Sequence, residues 1–198
     1  ADISDIIRHH HQKDLLHMDV SLLAGEIQQL DWIAKAGVHK RWPDAVEIKL
    51  VERVPIVRWG KEGFLDASGT PFTVPDNDKL RGLFKLQGPD GYEQQVLQYY
   101  EDIAPWLAAR HLDVARLTLD PRLVWHVELS GGTDIILGRD QLNERLKKLV
   151  VVNDKVIKPY HPYIDAIDLR YHDGFSVRWK AGVRPVTTEA KDKTKEKK

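Results

Sequence analysis

The residues best suited to chemistry near the start of the chain are histidines. His9, His10 and His11, together with His17, carry imidazoles that can ligate a metal in their neutral form. Adjacent residues of a helix point about 100° apart, so the three consecutive side chains do not converge on one ion by themselves. We therefore interpret them as a solvated helix end, and we predict neither a metal site nor a cofactor.

Carboxylates offer the second possible chemistry. A glycosidase needs two of them facing one cleft, and Asp134, Asp165 and Asp168 are the candidates. No motif singles them out. Other acids lie at helical spacing from bases, as Glu144 does from Lys148, which is typical of a solvated surface. The G-x-S-x-G, G-x-G-x-x-G and P-loop motifs are all missing. We predict that the protein is not an enzyme, with a carboxylate-dependent hydrolase as an alternative.

Composition excludes further classes of function. The chain has 198 residues, 42% of them hydrophobic, which is enough for one domain or two small ones. Its 30 basic and 30 acidic side chains cancel, so no overall field attracts nucleic acid. The absence of cysteine excludes disulfides and thiolate chemistry. No stretch approaches the roughly 18 apolar residues of a membrane span. The opening ADISDIIRHHH is not a signal peptide, and we expect further residues of a longer protein to precede it.

The segment from Trp32 to Trp59 is the clearest guide to the elements that position any site. Apolar and charged residues alternate from Val46 to Leu50, the pattern of a half-buried strand. Trp42-Pro43-Asp44 supplies a turn that joins this strand to an earlier one. Pro55 ends regular pairing because it has no amide hydrogen to donate.

Apolar spacing predicts helices before and after this pair of strands. A short helix precedes the histidines, and a second begins after Asp19 as its N-cap. A longer helix lies between Gly91 and His111, and Pro105 should kink or divide it. A further helix follows Asp140.

Strand candidates dominate the rest of the chain. They are Val114 to Leu119, Leu123 to Leu129, Thr133 to Leu137, Ile164 to Tyr171 and Phe175 to Trp179, with hairpin turns at Asp66 to Gly69 and at Asp173-Gly174. A terminal strand is often an edge strand, which can accept a strand from another chain. We expect Trp179, on that last strand, to be the least committed to a core among the six tryptophans.

These elements predict an α+β protein made of two units and a tail. A small unit ends at about Arg53, and a strand-rich unit follows over residues 54–181. Residues 182–198 have no large apolar side chain after Val186 and end in KDKTKEKK, a composition typical of a disordered tail.

A series of motifs follows in order along the chain. They are W-I at Trp32, K-R-W-P-D at Lys40 to Asp44, I-x-L-V-E-x-V-P-I at Ile48 to Ile56, F-L-D-A-x-G-x-x-F-x-V-P at Phe64 to Pro75, L-x-G-P-D-G at Leu86 to Gly91, L-G-R-D at Leu137 to Asp140 and I-D-L-R-Y at Ile167 to Tyr171. This order resembles the FtsQ family of bacterial cell-division proteins, called DivIB in Gram-positive bacteria, and the Gram-negative form fits better.

The resemblance implies a partial POTRA domain over residues 1–53, which lacks its first strand, followed by a β domain over residues 54–181. It also implies a single-pass inner-membrane protein at the division septum, with its bulk in the periplasm and its anchor outside this chain. The implied function is a non-enzymatic scaffold of the divisome, the assembly of division proteins. Its POTRA domain is expected to contact other divisome membrane proteins.

The implied partners are FtsB, together with FtsL, and FtsB is expected to add a strand to the last strand of the β domain. By position, the resemblance assigns Arg170, Tyr171, Gly174 and Trp179 to this binding edge, and Arg122 to a contact with a helix of FtsB.

Two positions depart from the family pattern, with Ala166 in place of an aromatic residue and Asp173 in place of a small hydroxyl residue. We expect both to change the affinity and charge preference for FtsB. A rival interpretation is a POTRA-type module that binds polypeptide during outer-membrane assembly. Tandem POTRA repeats would favour that rival, and the sequence has none.

Overall fold

The computed structural model describes residues 3–10, 18–74 and 78–183. Its described part contains a two-stranded sheet and a nine-stranded sheet, each packed against helices. The predicted α+β class is therefore confirmed. Two separate hydrophobic clusters accompany the two sheets, and the larger one lies between the nine-stranded sheet and its helices.

The first part of the chain forms two helices and a hairpin. Helices α1 (Ile3–His10) and α2 (Val20–Gln28) precede strands β1 (Ile33–Arg41) and β2 (Ala45–Glu52). The carboxylate of Asp19 accepts the amides of the first turn of α2, as an N-cap does. The buried members of the small cluster come from α2 and β1: Leu23, Ile27, Ile33 and Val38.

The predicted turn at Trp42-Pro43-Asp44 joins β1 to β2, and the two strands pair in antiparallel register. The Trp42–Pro43 peptide bond is cis, a form found almost only before proline. Trp42 is 70% exposed at the tip of this hairpin. The expectation that Trp179 is the least buried tryptophan is therefore wrong, because Trp179 is half-buried and packs against the large core.

The large sheet collects the remaining strands. They are β3 (Val57–Trp59), β4 (Gly63–Leu65), β5 (Pro71–Phe72), β6 (Lys85–Gln87), β7 (Val114–Leu119), β8 (Trp125–Leu129), β9 (Asp134–Gly138), β10 (Ile164–Asp168) and β11 (Ser176–Trp179). Their order across the sheet is β11-β10-β9-β8-β7-β6-β3-β4-β5. Strand β6 lies parallel to β3 and β7, β10 lies parallel to β9, and all other neighbours are antiparallel.

α-Helices connect two of the three parallel pairs of strands, and β4 and β5 lie along the chain between the members of the third pair, β3 and β6. Helix α3 (Glu93–Ala108) links β6 to β7, while α4 (Leu142–Val152), a π-helical turn (Asn153–Ile157) and the short α5 (Lys158–Tyr160) link β9 to β10. Pro105 does not divide α3, which continues to Ala108. The buried residues of α3 and α4 pack on one face of the sheet.

Two strand predictions are too long, each for a local reason. The strand predicted to begin at Leu123 begins at Trp125, because the Asp120 carboxylate accepts the amides of Arg122 and Val124 and holds a tight turn. The strand predicted to reach Tyr171 ends at Asp168, whose carboxylate accepts the amide of Arg170. Short acidic side chains that bond to nearby amides favour turns over strands.

Contacts through Arg53 connect the two sheets. Its guanidinium donates to the Asp66 carboxylate after β4 at 2.7 Å and to the Asp31 carbonyl before β1 at 3.1 Å. The Thr73 hydroxyl also donates to the Asp31 carboxylate at 2.8 Å. Arg53, in the connection between β2 and β3, is therefore bonded to residues next to both sheets.

Candidate partner-binding edge

Strand β11 forms one edge of the large sheet. It pairs with β10 on one side, and no strand of the described chain pairs with its other side. In an antiparallel pair, alternate residues of an edge strand point their amides and carbonyls away from the sheet. The register shifts between Ile164 and Ala166, which places a bulge opposite the end of β11. The predicted edge position of the last strand is thus confirmed.

The two faces of β11 differ in chemistry. Val177 and Trp179 pack against the large core on the helix side, and the Trp179 ring meets the Tyr160 ring edge-on at 6.0 Å between centroids. Arg178 lies on the opposite face and donates to the Asp165 carboxylate. A strand added to this edge would therefore have apolar neighbours on one face and charged neighbours on the other.

The loop between β10 and β11 is held by one lysine. The Lys148 ammonium on α4 donates to the backbone carbonyls of Tyr171 at 2.7 Å, His172 at 3.1 Å and Gly174 at 3.2 Å. The pattern that pairs Lys148 with Glu144 missed this role. Helical spacing reveals partners one turn away, whereas these carbonyls are 23 to 26 residues distant.

The residues assigned to this loop by resemblance lie together but differ in exposure. Tyr171 is 58% exposed, whereas Gly174 is partly buried beneath the Lys148 contact. Arg170 donates three hydrogen bonds from its guanidinium to the Asp168 carboxylate, at 2.6, 2.9 and 3.1 Å. That contact lowers the pKa of the Asp168 carboxyl and raises the pKa of Arg170. Arg170 therefore anchors the end of β10.

Arg122 and Arg170 border the same cavity, of about 460 Å³, on the side of the sheet away from the core. The cavity also includes Arg139 and Arg145, so guanidinium groups outnumber its two carboxylates. Arg145 donates to the Leu137 carbonyl and pairs with Asp140 at 2.9 Å, which fixes one wall. A carboxylate from a partner would meet several donors here.

A histidine between two acids lies at this cavity. His126 Nδ1 is 3.0 Å from Asp134, and its Nε2 is 3.6 Å from Asp120. The hydrogen bond with Asp134 raises the pKa of His126, against the opposing effect of burial. Burial disfavours ionisation of Asp120, but the amides of Val124 and Arg122 lower its pKa overall.

The contacts of the described residues do not support the two alternative chemistries, a carboxylate-dependent hydrolase and a metal site. Asp134 contacts His126, Asp165 contacts Arg178 and Asp168 contacts Arg170. A general acid needs a raised pKa, and Asp168 shows the reverse. The histidines predicted as a solvated helix end lie outside the residues whose side chains are described. Within the described ranges, no group of three histidine or acidic residues is arranged to hold a metal ion.

Comparison with known proteins places this geometry in a family. The family model described as "Cell division protein FtsQ/DivIB, C-terminal" matches residues 57–170, and the model described as "POTRA domain, FtsQ-type" matches residues 1–53. Among curated proteins, the chain is 34% identical over 182 residues to the cell division protein FtsQ of Cellvibrio japonicus. It is 30% identical over 180 residues to that of Coxiella burnetii and 39% identical over 151 residues to that of Xanthomonas campestris.

These alignments cover 92%, 91% and 76% of the chain, respectively. The chain spans 57%, 74% and 54% of the lengths of those three relatives. Both family models lie in the order that the two sheets follow, with the POTRA match first. The chain belongs to the FtsQ/DivIB family of bacterial cell-division proteins, with an FtsQ-type POTRA domain followed by the strand-rich C-terminal domain of that family.

Proposed function

We propose that this protein is a non-enzymatic scaffold of the divisome that binds FtsB, together with FtsL, by strand addition to β11. The observation that carries the proposal is the outer edge of β11, which no described strand covers. Strand addition obtains affinity from main-chain hydrogen bonds and specificity from side-chain neighbours. The outer edge of β11 offers main-chain groups for such hydrogen bonds. Trp179 and Tyr160 offer aromatic side-chain neighbours.

The cavity around Arg122 supports the proposed contact with a helix of FtsB. An acidic side chain of that helix would enter the group of arginines at the cavity and exchange water for charge-assisted hydrogen bonds. The Asp120 carboxylate binds the amide of Arg122 at 2.8 Å and so fixes where its side chain starts. The strand and the helix of FtsB would then bind on adjacent parts of one sheet end.

The two units of the chain would bind different partners. In this proposal residues 1–53 form the POTRA domain that contacts other divisome membrane proteins, and residues 54–181 form the β domain that receives FtsB. No helix in the described ranges is long and apolar enough to cross a membrane. We place the full-length protein in the inner membrane as a single-pass protein, with this chain in the periplasm at the septum.

A titration of the periplasmic segment of FtsB into the chain tests this function. We expect saturable binding that weakens roughly tenfold in Arg122→Glu at low ionic strength. Lys155→Glu changes the net charge equally at an exposed position beyond α4 and should bind as the parent does. Equal affinity of both variants would remove Arg122 from the site. Preference for unfolded polypeptide over FtsB would favour the outer-membrane assembly rival, and turnover of a cell-wall polymer would favour the hydrolase.

A further inference from the structure

A row of charged residues crosses the face of the large sheet that lies opposite the helical core. Arg58 on β3 is in register with Lys85 on β6, and Lys85 is in register with Arg116 on β7. Glu128 on β8 is the next residue of the row. Their sequence neighbours, such as Leu86 and Leu117, belong to the buried core, so the charged side chains point to the other face.

The cations of this row are close and under-compensated. Neighbouring strands are about 4.8 Å apart, which places three cations within about 10 Å. Arg116 pairs with Glu128 at 2.9 Å, whereas in the described ranges neither Arg58 nor Lys85 forms an ion pair with an acid. Burial lowers the pKa of Lys85, the charges of Arg116 and Arg58 lower it further, and the charge of Glu128 only partly opposes them. Like charges directly opposite each other destabilise a sheet, so the row costs stability.

A concave surface adjoins the row. A cavity of about 350 Å³ is lined by Arg58, Lys61, Glu62, Phe64 and Arg81. Phe64 is 2% exposed and supplies an apolar floor, while Arg81 pairs with Asp78 at 2.5 Å. The surface therefore combines Arg58 and Lys85, which form no ion pair in the described ranges, with a small apolar recess.

We propose that this cationic row, Arg58–Lys85–Arg116, is a docking site for an acidic peptide segment of a partner protein. The spacing of the cations matches carboxylates at positions i and i+4 of a helix, which lie about 5–6 Å apart. Residues after 183 are rich in lysine and share the charge of the row, so they do not complement it. An anionic membrane would also meet Glu62 at the recess, and a flat surface would not enter it.

The row is separate from the β11 edge, although it lies on the same face of the sheet as the cavity that Arg122 borders. Strands β8, β9 and β10 lie between β7 and β11, which puts the row about 19 Å from that edge at its nearest strand. A partner bound to the row would therefore leave β11 open. The site would add a second contact to the scaffold and does not depend on binding of FtsB.

Fluorescence anisotropy with a labelled helical peptide tests the row directly. The probe is an alanine-based peptide with glutamate at every fourth position, measured at an ionic strength of about 0.01 M. We expect the double variant R58Q/K85Q to bind it roughly tenfold more weakly than the parent. K147Q/K155Q removes the same charge from exposed positions on the helical side and should bind as the parent does. The single variant K85Q should give an intermediate affinity.

The controls separate this proposal from its rivals. R58Q/K85Q removes like-charge repulsion, so its melting temperature should equal or exceed that of the parent, and its affinity for the FtsB segment should not change. Equal peptide affinity in both double variants would overturn the proposal. Binding to vesicles of phosphatidylglycerol that requires Arg58 and Lys85, without binding to the peptide, would also overturn it and would identify a lipid headgroup as the ligand.

Discussion

The Lys148 ammonium lies 2.7 Å from the backbone carbonyl of Tyr171 and also reaches the carbonyl of Gly174. This contact ties the loop before β11 to helix α4. It orients the segment that leads into the proposed binding edge, without using any side chain of the loop. Positioning through backbone carbonyls leaves Tyr171 exposed for a partner.

Replacing Lys148 by methionine keeps the apolar stem and removes the three donated hydrogen bonds. We expect Lys148→Met to lower the free energy of unfolding by about 1 kcal/mol and to weaken FtsB binding roughly fivefold. Amides of residues 171–174 should exchange faster with solvent. Lys147→Met, at an exposed neighbouring position, is the matched control. Unchanged exchange in the loop would show that Lys148 does not order it.

Tyr171 and Trp179 should separate binding from stability. Tyr171→Ala is expected to weaken FtsB binding tenfold or more while leaving the free energy of unfolding within about 0.5 kcal/mol of the parent. Trp179→Ala should weaken binding and also destabilise the fold, because its ring packs on the core. We expect Trp179→Ala to lower the free energy of unfolding by roughly half of the 3–5 kcal/mol typical of a fully buried tryptophan. Urea unfolding and titration calorimetry give the two quantities.

Trp42→Ala is the control for this pair, since Trp42 is 70% exposed on the two-stranded sheet. Its loss should not change affinity for FtsB. If Trp42→Ala and Tyr171→Ala weakened binding equally, the contact would not be specific to the loop before β11.

The turn before β8 depends on Asp120. Its carboxylate accepts the amides of Arg122 and Val124, each at 2.8 Å, in a turn where Leu123 has a φ of 60°. We expect Asp120→Ala to lower the free energy of unfolding by about 1–2 kcal/mol, because both amides lose their acceptor. Asp120→Asn keeps an acceptor oxygen and should lose less. Equal losses in both variants, measured by urea unfolding, would contradict this account.

His126 should make stability depend on pH near neutrality. The hydrogen bond to Asp134, with the further charge of Asp120, raises the pKa of His126 in the folded protein. The stability that protonated His126 contributes is therefore complete below its ordinary pKa of about 6.5. It is lost as the pH rises through the raised value in the folded state.

The difference in unfolding free energy between the parent and His126→Gln measures this contribution. It should shrink as the pH increases through that window. A difference that is constant or grows with pH would show that the imidazolium is not stabilised by Asp134.

Local sequence patterns were sufficient to predict most of the helices and strands. The hairpin turn predicted at Asp173-Gly174 is too short, because the loop between β10 and β11 spans residues 169–175. Alternation from Val46 to Leu50 predicted β2, and the side chain of Asp19 predicted the start of α2. Each depends on residues within one or two turns of chain. The order of the strands does not depend on such local residues. Strand β6 lies between β3 and β7 because of packing across the whole sheet.

The same distinction explains what the sequence revealed of the candidate site. The edge position of β11 followed from its place at the end of the chain, and the residues of the edge followed from resemblance. The contact of Lys148 with Tyr171 crosses 23 residues and joins two elements, so no local spacing could reveal it. The shared cavity of Arg122 and Arg170 depends likewise on the order of β8, β9 and β10.

The most direct test of the central claim is amide hydrogen exchange across β11, measured by NMR with and without the periplasmic segment of FtsB. Strand addition predicts that the amides of Ser176–Trp179 that point away from β10 become protected at least roughly tenfold on binding. Protection in the two-stranded sheet should not change. Saturable binding of FtsB with unaltered exchange throughout β11 would contradict strand addition at this edge.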